Sequence, residues 1–227
     1  MIQIITRYGN LLLLAMGQTL LLALCGLFFA CILGMFFGLL SVLKNKACRI
    51  ISSIFVDVIR GVPMIVLAYF IYFGVPSGMK MMGATDFRLS ALQAGTIALA
   101  MNCGAYMAEI VRGGIISVDK GQYEAGYASG LTKAQTFFHV IVPQAVRAVI
   151  PPLTDDILSL VKGTALVSVI GVSDILTDSI NAASAAYFYL EAYVAAALVL
   201  WGIGIVLERL SHYVERKFSK SVKTLAG

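Results

Sequence analysis

The chain reads Gln122-Tyr123-Glu124-Ala125-Gly126-Tyr127-Ala128-Ser129-Gly130-Leu131-Thr132 between two long apolar segments, and it runs on to Val140-Ile141-Val142-Pro143-Gln144-Ala145. A simple connector between apolar helices would be short and rich in turn residues. This stretch instead has the composition of two short helices joined at a glycine. The sequence therefore predicts a folded polar element, and we define the two-helix element as residues 119–140.

Capping residues mark both halves of the two-helix element. Asp119 can cap a first helix, and Gln122 can reach back to the cap as in a capping box. Gly130 is a typical left-handed stop for that helix. Thr132 and Gln135 form a second capping box, which starts another helix. On these residues alone, an amphipathic connector lying on the lipid headgroups is an equal alternative to a docking element for a partner protein.

The rest of the chain is typical of a membrane protein. Of its 227 residues, 59% are hydrophobic and 13% are charged, whereas soluble domains carry about 25% charged residues. The runs from Leu11 to Leu43 and from Leu89 to Ala108 contain no Asp, Glu, Lys, Arg or His. Each can cross a bilayer, which requires roughly 20 apolar residues. The sequence therefore predicts an all-α integral membrane protein.

We expect a single transmembrane domain over residues 1–227 with about five spans. The predicted spans are 10–43, 50–75, 88–112, 143–171 and 188–210. The first apolar run is too long for the core of a signal peptide, so we expect it to be retained. The fourth span is the least apolar because it contains Asp155, Asp156 and Lys162.

Basic residues are concentrated on one side of the predicted spans. Twelve lie between the first two spans, around the two-helix element and after the last span, against three on the opposite side. The connection between the last two spans carries Asp174, Asp178 and Glu191. Because Lys and Arg collect in cytoplasmic loops, we expect the N-terminus outside, and the two-helix element and the C-terminus in the cytoplasm.

This topology accounts for the net charge of +5, so we expect no nucleic-acid partner. The four cysteines lie in or beside apolar helices without CxxC spacing, and His139 and His212 are isolated. We therefore expect neither a disulfide nor a metal site. The same isolation removes the nucleophile and base that a membrane enzyme would need.

Ionisable residues at membrane depth are costly and by default functional. The candidates are Asp57, Arg60, Glu109, Asp155, Asp156 and Lys162. At about 1.5 Å per residue, Asp155 lies roughly 18 Å into a span that begins near Pro143, and Asn102 reaches a similar depth. Asp155, Ser159 and Lys162 share one helical face, whereas Asp156 points about 100° away.

We therefore predict that substrate binds at Asn102, Asp155, Ser159 and Glu109. Arg60, Asp57 and Lys162 are predicted to serve in gating or in pairing within the membrane, and Glu109 is a candidate for such a pair with Arg60. Asp57 precedes Arg60 by about one helical turn and can neutralise it. An ion pair between Asp155 and Lys162, or between Asp155 and another span, is an equal alternative to substrate binding.

The two-helix element resembles the EAA motif of permease subunits in binding-protein-dependent ABC importers. That motif reads E-A-A, three residues, G, nine residues and I-x-L-P. Here the same spacing joins Glu124-Ala125-Gly126, Gly130 and Val140-x-Val142-Pro143. Gly126 replaces the second alanine of the motif, and valines replace its isoleucine and leucine. These substitutions roughly keep the size and the polarity of the side chains at the three positions.

Flanking strings are similar to the polar amino acid branch of that family, the histidine, glutamine and arginine permeases. They are Arg60-Gly61-Val62-Pro63, Ala105-Tyr106-Met107-Ala108-Glu109-Ile110-Val111-Arg112-Gly113-Gly114-Ile115 and Pro143-Gln144-Ala145-x-Arg147. The likeness covers essentially the whole chain. It implies a transport subunit in a prokaryotic cytoplasmic membrane, not an enzyme.

The resemblance also implies partners and a mechanism. A second permease subunit, of the same or a paralogous chain, two ATPase subunits and an extracytoplasmic amino acid binding protein would complete the importer. The ATPases, which hold ATP and Mg, would dock on the two-helix element and swing the permeases between inward- and outward-facing states. The implied docking residues are Gln122, Tyr123, Glu124, Ala125, Gly126, Gly130 and Leu131. The chain itself has no phosphate-binding loop.

Two departures from the family concern the cargo. Many relatives have Asn at the position of Asp155, and Lys-Asp-Thr-Ser-Leu in place of Lys162-Gly163-Thr164-Ala165-Leu166. The extra carboxylate predicts a cargo with a cationic side chain. The alternative function is a gradient-driven carrier or channel for a small polar solute. Carriers commonly contain inverted repeats, and five predicted spans with one polar element offer no such duplication.

Overall fold

The computed structural model describes residues 2–84, 86–172 and 189–223, and these ranges contain helices and connections but no strand. The helices are α1 (Ile2–Val42), α2 (Lys46–Gly61), α3 (Met64–Tyr69), α4 (Val75–Met81), α5 (Ala91–Ile116), α6 (Lys120–Ala128), α7 (Lys133–Thr136), α8 (Val142–Val167) and α9 (Tyr189–Lys223). The all-α prediction is confirmed for this part of the chain. The predicted acidic connection at Asp174 and Asp178 lies outside the described residues.

Three helical segments of the described residues are long and apolar enough to cross a membrane: Leu14–Val42, Met64–Met81 and Ala91–Ile116. The first and third coincide with predicted spans. Helix α8 has 26 residues and a length of about 39 Å, but its charged side chains make it less apolar. The total of five spans and their orientation remain predictions.

The predicted span 50–75 is divided between two helices. Helix α2 ends at Gly61, and Val62 is extended with φ −97° and ψ 128°. The cause is Pro63, because a residue that precedes proline is driven out of the helical region. Helix α2 buries Ser52, Val56 and Ile59 on one face. In this region the helical segment that is long and apolar enough to cross a membrane is Met64–Met81, which overlaps the second half of the predicted span.

Two π-helical turns, Phe70–Gly74 and Phe137–Ile141, each lie just before a proline. In them the N–H groups of Val75 and Val142 donate to carbonyls five residues back. The prolines that follow, Pro76 and Pro143, have no N–H and would clash with the carbonyl four residues earlier, and the wider turn accommodates them. The second turn joins α7 to α8 without a break, and Pro143 lies in the first turn of α8, close to the predicted start of the fourth span.

The core lies where α1, α5 and α8 meet. Leu22, Leu99 and Leu160 are almost fully buried there. Glycines bring α1 and α5 close together: a Cβ on Gly34 would overlap that of Met107. Helix α5 is thereby held between α1 and α8, and it contacts both the two-helix element and the cavity beside α8.

Candidate functional site

Helix α6 begins and ends as its local sequence predicts. The Asp119 carboxylate accepts a hydrogen bond from the N–H of Gly121 at 2.6 Å. Gly130 has φ +82°, and the Leu131 N–H donates to the carbonyl of Gly126 at 3.1 Å, which closes the C-terminus. The left-handed turn at Gly130 is confirmed, and so is the helix that precedes it.

The capping box at the start of α7 is also confirmed. The Gln135 N–H donates to Thr132 Oγ1 at 3.3 Å, and the Thr132 N–H donates to Gln135 Oε1 at 2.9 Å. The predicted role of Gln122 in a first box is wrong. Its side-chain oxygen instead accepts a hydrogen bond from Gln144 Nε2 at 3.1 Å, which ties α6 to α8.

The predicted docking residues do not all face the same way. Glu124 and Ala125 are exposed, as are Gln122 and Gly130, while Leu131 is half-buried. Gly126 is buried, and the half-buried Tyr123 packs on an apolar cluster. That cluster contains Val111, Ile115, Val118, Ile141, Ala145 and Val149. Helix α6 therefore has an inner face that anchors it to α5 and α8 and an outer face that is free.

Tyr123, on the inner face of α6, is uncharged. Burial, together with the nearby Tyr127, raises the pKa of the Tyr123 hydroxyl above its ordinary value. The phenol therefore stays neutral at physiological pH. Glu124 is the acidic group that α6 presents outward.

A second site is a cavity of about 780 Å³ between the α2–α3 junction, α5 and α8. Its charged lining residues are Arg60, Asp156 and Lys162, and its neutral polar lining residues include Asn102 and Ser159. The break at Val62 and Pro63 provides room, because the chain leaves helical geometry there. The structure thus brings together four of the sequence-predicted cargo or gating side chains. Asp156, a carboxylate that was not among the predicted substrate residues, joins them.

The carboxylate in the cavity is Asp156, and the prediction of Asp155 differs from this placement. Asp156 Oδ2 accepts a hydrogen bond from the Cys103 thiol at 3.1 Å, whereas Asp155 is exposed and does not line the cavity. Ser159 lies one helical turn from both carboxylates, so its position on the face could not distinguish them. Cys103, treated in the sequence only as a small buried residue, is the contact that sequence reasoning missed.

The predicted gating residues are arranged differently from expectation. The Arg60 guanidinium lies 4.8 Å from the centre of the Tyr106 ring, a cation–π contact. Glu109 accepts two hydrogen bonds from Arg112, at 2.9 and 2.8 Å. Glu109 therefore pairs within α5 and not with a residue of another helix. It also lies outside the cavity lining, apart from the other predicted substrate residues Asn102 and Ser159.

Asp57 and Lys162 complete the predicted set. Asp57 Oδ2 accepts a hydrogen bond from Ser53 Oγ at 2.8 Å, one turn back on α2. Lys162 lines the cavity. Within the residues that the structure describes, the ion pairs are Arg112–Glu109 and His212–Glu208, so an Asp155–Lys162 pair is not formed there.

Comparison with known proteins identifies the family. Residues 26–220 match the family described as "Binding-protein-dependent transport system inner membrane component". The chain is 37% identical over 186 residues to the L-cystine transport system permease protein TcyB of Bacillus subtilis (strain 168), covering 81% of this chain and 76% of the relative. It is 33% identical over 171 residues to the probable amino-acid ABC transporter permease protein PatM of Vibrio harveyi, covering 75% of each.

A solved structure agrees over nearly the full length. A crystal structure of an amino acid ABC transporter with histidines superposes with a TM-score of 0.85 and 32% identity, covering 94% of this chain and 96% of that one. The resemblance drawn from the EAA-like spacing is confirmed. This chain belongs to the family of inner membrane components of binding-protein-dependent transport systems.

Proposed function

We propose that this chain is the permease subunit of an ATP-driven importer of polar amino acids in a prokaryotic cytoplasmic membrane. It would act with a second permease, two ATPase subunits that bind ATP and Mg, and an extracytoplasmic binding protein. The observation that carries the proposal is the division of α6 into two faces. Glu124 and Ala125 are exposed for a partner, while Tyr123 and Gly126 fasten the helix to the membrane domain.

Movement of α6 has a continuous path to the cavity. The Gln122–Gln144 hydrogen bond joins α6 to α8, and α7 runs into α8 through the π-helical turn. Helix α8 then carries Asp156, Ser159 and Lys162 into the cavity lining. A partner that pulls on α6 would therefore act on the α8 wall of the cavity, and alternating access requires such a movement.

The charges of the cavity support amino acids as its cargo. Arg60 and Lys162 can bind a carboxylate, and Asp156 can bind an ammonium group; charge-assisted hydrogen bonds of this kind are the strong ones. Asn102 and Ser159 add neutral polar groups. This set complements a zwitterion. Because Asp155 is exposed outside the cavity, it provides no basis for requiring a cationic side chain in the cargo.

Reconstitution tests the proposal against the gradient-driven alternative. Proteoliposomes that contain the permease, its ATPase and its binding protein should accumulate labelled amino acid only when ATP is supplied to the ATPase side. Ionophores that dissipate ion gradients should leave this uptake unchanged. Uptake by the permease alone, driven by an imposed ion gradient without ATP, would contradict the proposal and favour a carrier.

A further inference from the structure

Gly126 and Thr136 face each other across the turn of the two-helix element. A Cβ added to Gly126 would lie 2.5 Å from Thr136 Cγ2 and 2.9 Å from Thr136 Oγ1. Contacts below 3.0 Å are not sustained by real Cβ atoms. Alanine at position 126 would therefore force α6 and Thr136 apart.

Thr136 has little freedom to give way. Its side chain is fully buried, and its N–H donates to the Thr132 carbonyl at 2.8 Å. A β-branched side chain in a helix has few χ1 rotamers. Its Oγ1 is buried without a hydrogen-bond partner, an arrangement that is unfavourable by itself. Packing against Gly126, not hydrogen bonding, accounts for the position of the Thr136 side chain.

We propose that Thr136 is a positioning residue for the docking helix: it sets the separation of α6 from the end of α7 and requires glycine at 126. The replacement of the motif's alanine by Gly126 is then the counterpart of Thr136, not a neutral change. This inference rests on the proposed docking of the ATPase at α6. Its structural part, the Gly126–Thr136 contact, is testable independently of docking.

The experiment compares Gly126→Ala, Thr136→Ala and the double variant with the wild type. Gly113→Ala is the matched control, because a Cβ on that helical glycine would meet nothing within 4 Å. Hydrogen exchange of the Gly130 and Leu131 amides, which bond to Tyr127 and Gly126, is measured on the purified full-length chain. ATP-dependent uptake is measured on the assembled importer.

Gly126→Ala should speed exchange of these two amides by about tenfold, as expected for an overpacked contact. Uptake should fall by a similar factor. Thr136→Ala should lower uptake by about threefold because α6 becomes less well fixed. The double variant should match Thr136→Ala in both amide exchange and uptake. Gly113→Ala should match the wild type.

The outcomes separate the two proposals. Unchanged exchange in Gly126→Ala, or a double variant as perturbed as Gly126→Ala, would overturn the positioning role of Thr136. Exchange that is perturbed and then restored, with uptake unaffected throughout, would support the contact and refute docking at α6. If the double variant restores both amide exchange and uptake to the level of Thr136→Ala, the positioning role of Thr136 and docking at α6 are both supported.

Discussion

Glu124→Lys should reduce ATP-dependent uptake by at least about tenfold and release the ATPase from the purified complex. Glu124 is exposed on the outer face of α6, so the substitution leaves the anchoring face untouched. Hydrogen bonds to a charged group contribute about 1.5–3 kcal/mol, which corresponds to roughly 10- to 100-fold in an equilibrium constant. A reversed charge adds repulsion to this loss. The measurements are uptake in proteoliposomes and the ATPase-to-permease ratio after purification.

Glu208→Lys is the matched control for this charge reversal. Its carboxylate is similarly exposed on α9, 4.0 Å from His212 Nε2. It should retain both the ATPase and uptake within about twofold, as surface charge changes generally do. Wild-type uptake by Glu124→Lys, or equal loss in both variants, would contradict a specific docking role for Glu124.

Asp156→Asn should lower uptake of neutral and cationic amino acids alike, by about tenfold or more if the carboxylate binds the cargo ammonium group. Asparagine keeps the size of the side chain and an oxygen that can accept the Cys103 thiol hydrogen bond, now 3.1 Å long. The fold of the cavity is therefore preserved while its only carboxylate among the described lining residues is removed. Competitive uptake of lysine and glutamine measures the effect.

Asp155→Asn makes the same chemical change one residue away, on an exposed side chain outside the cavity. We expect it to leave both uptake rates within about twofold of wild type. A selective loss of lysine uptake in Asp155→Asn would support the hypothesis that Asp155 recognises a cationic side chain of the cargo. Normal uptake of both amino acids by Asp156→Asn would refute the cargo site.

Local features of this protein were predictable because their causes lie within a few residues. Asp119, Gly130 and the Thr132–Gln135 pair each satisfy backbone groups at a helix end, and the structure contains all three. The break before Pro63 obeys an equally local rule. The predicted span 50–75 nevertheless ran across it, although Asp57 and Arg60 lie just before the break.

Tertiary features could not be predicted from the sequence because they depend on how the helices are rotated against one another. The choice between Asp155 and Asp156 is decided by the Cys103 contact between α5 and α8. The sequence alone does not distinguish glycine from alanine at position 126 of the EAA-like motif. The structure shows that Thr136 lies beside this position and leaves no room for a Cβ. Similarly, Glu109 was predicted to bind substrate or to serve in gating or inter-helix pairing, but its ion-pair partner is Arg112 on its own helix.

Photo-crosslinking from α6 in the assembled importer tests most directly whether an ATPase docks there. A photoreactive phenylalanine analogue at the exposed position of Ala128 should form a covalent product with the ATPase subunit. The same group in place of the inward-packed Tyr123 should give products within the permease. An importer that still transports, yet gives no ATPase product from position 128, would contradict docking on the outer face of α6.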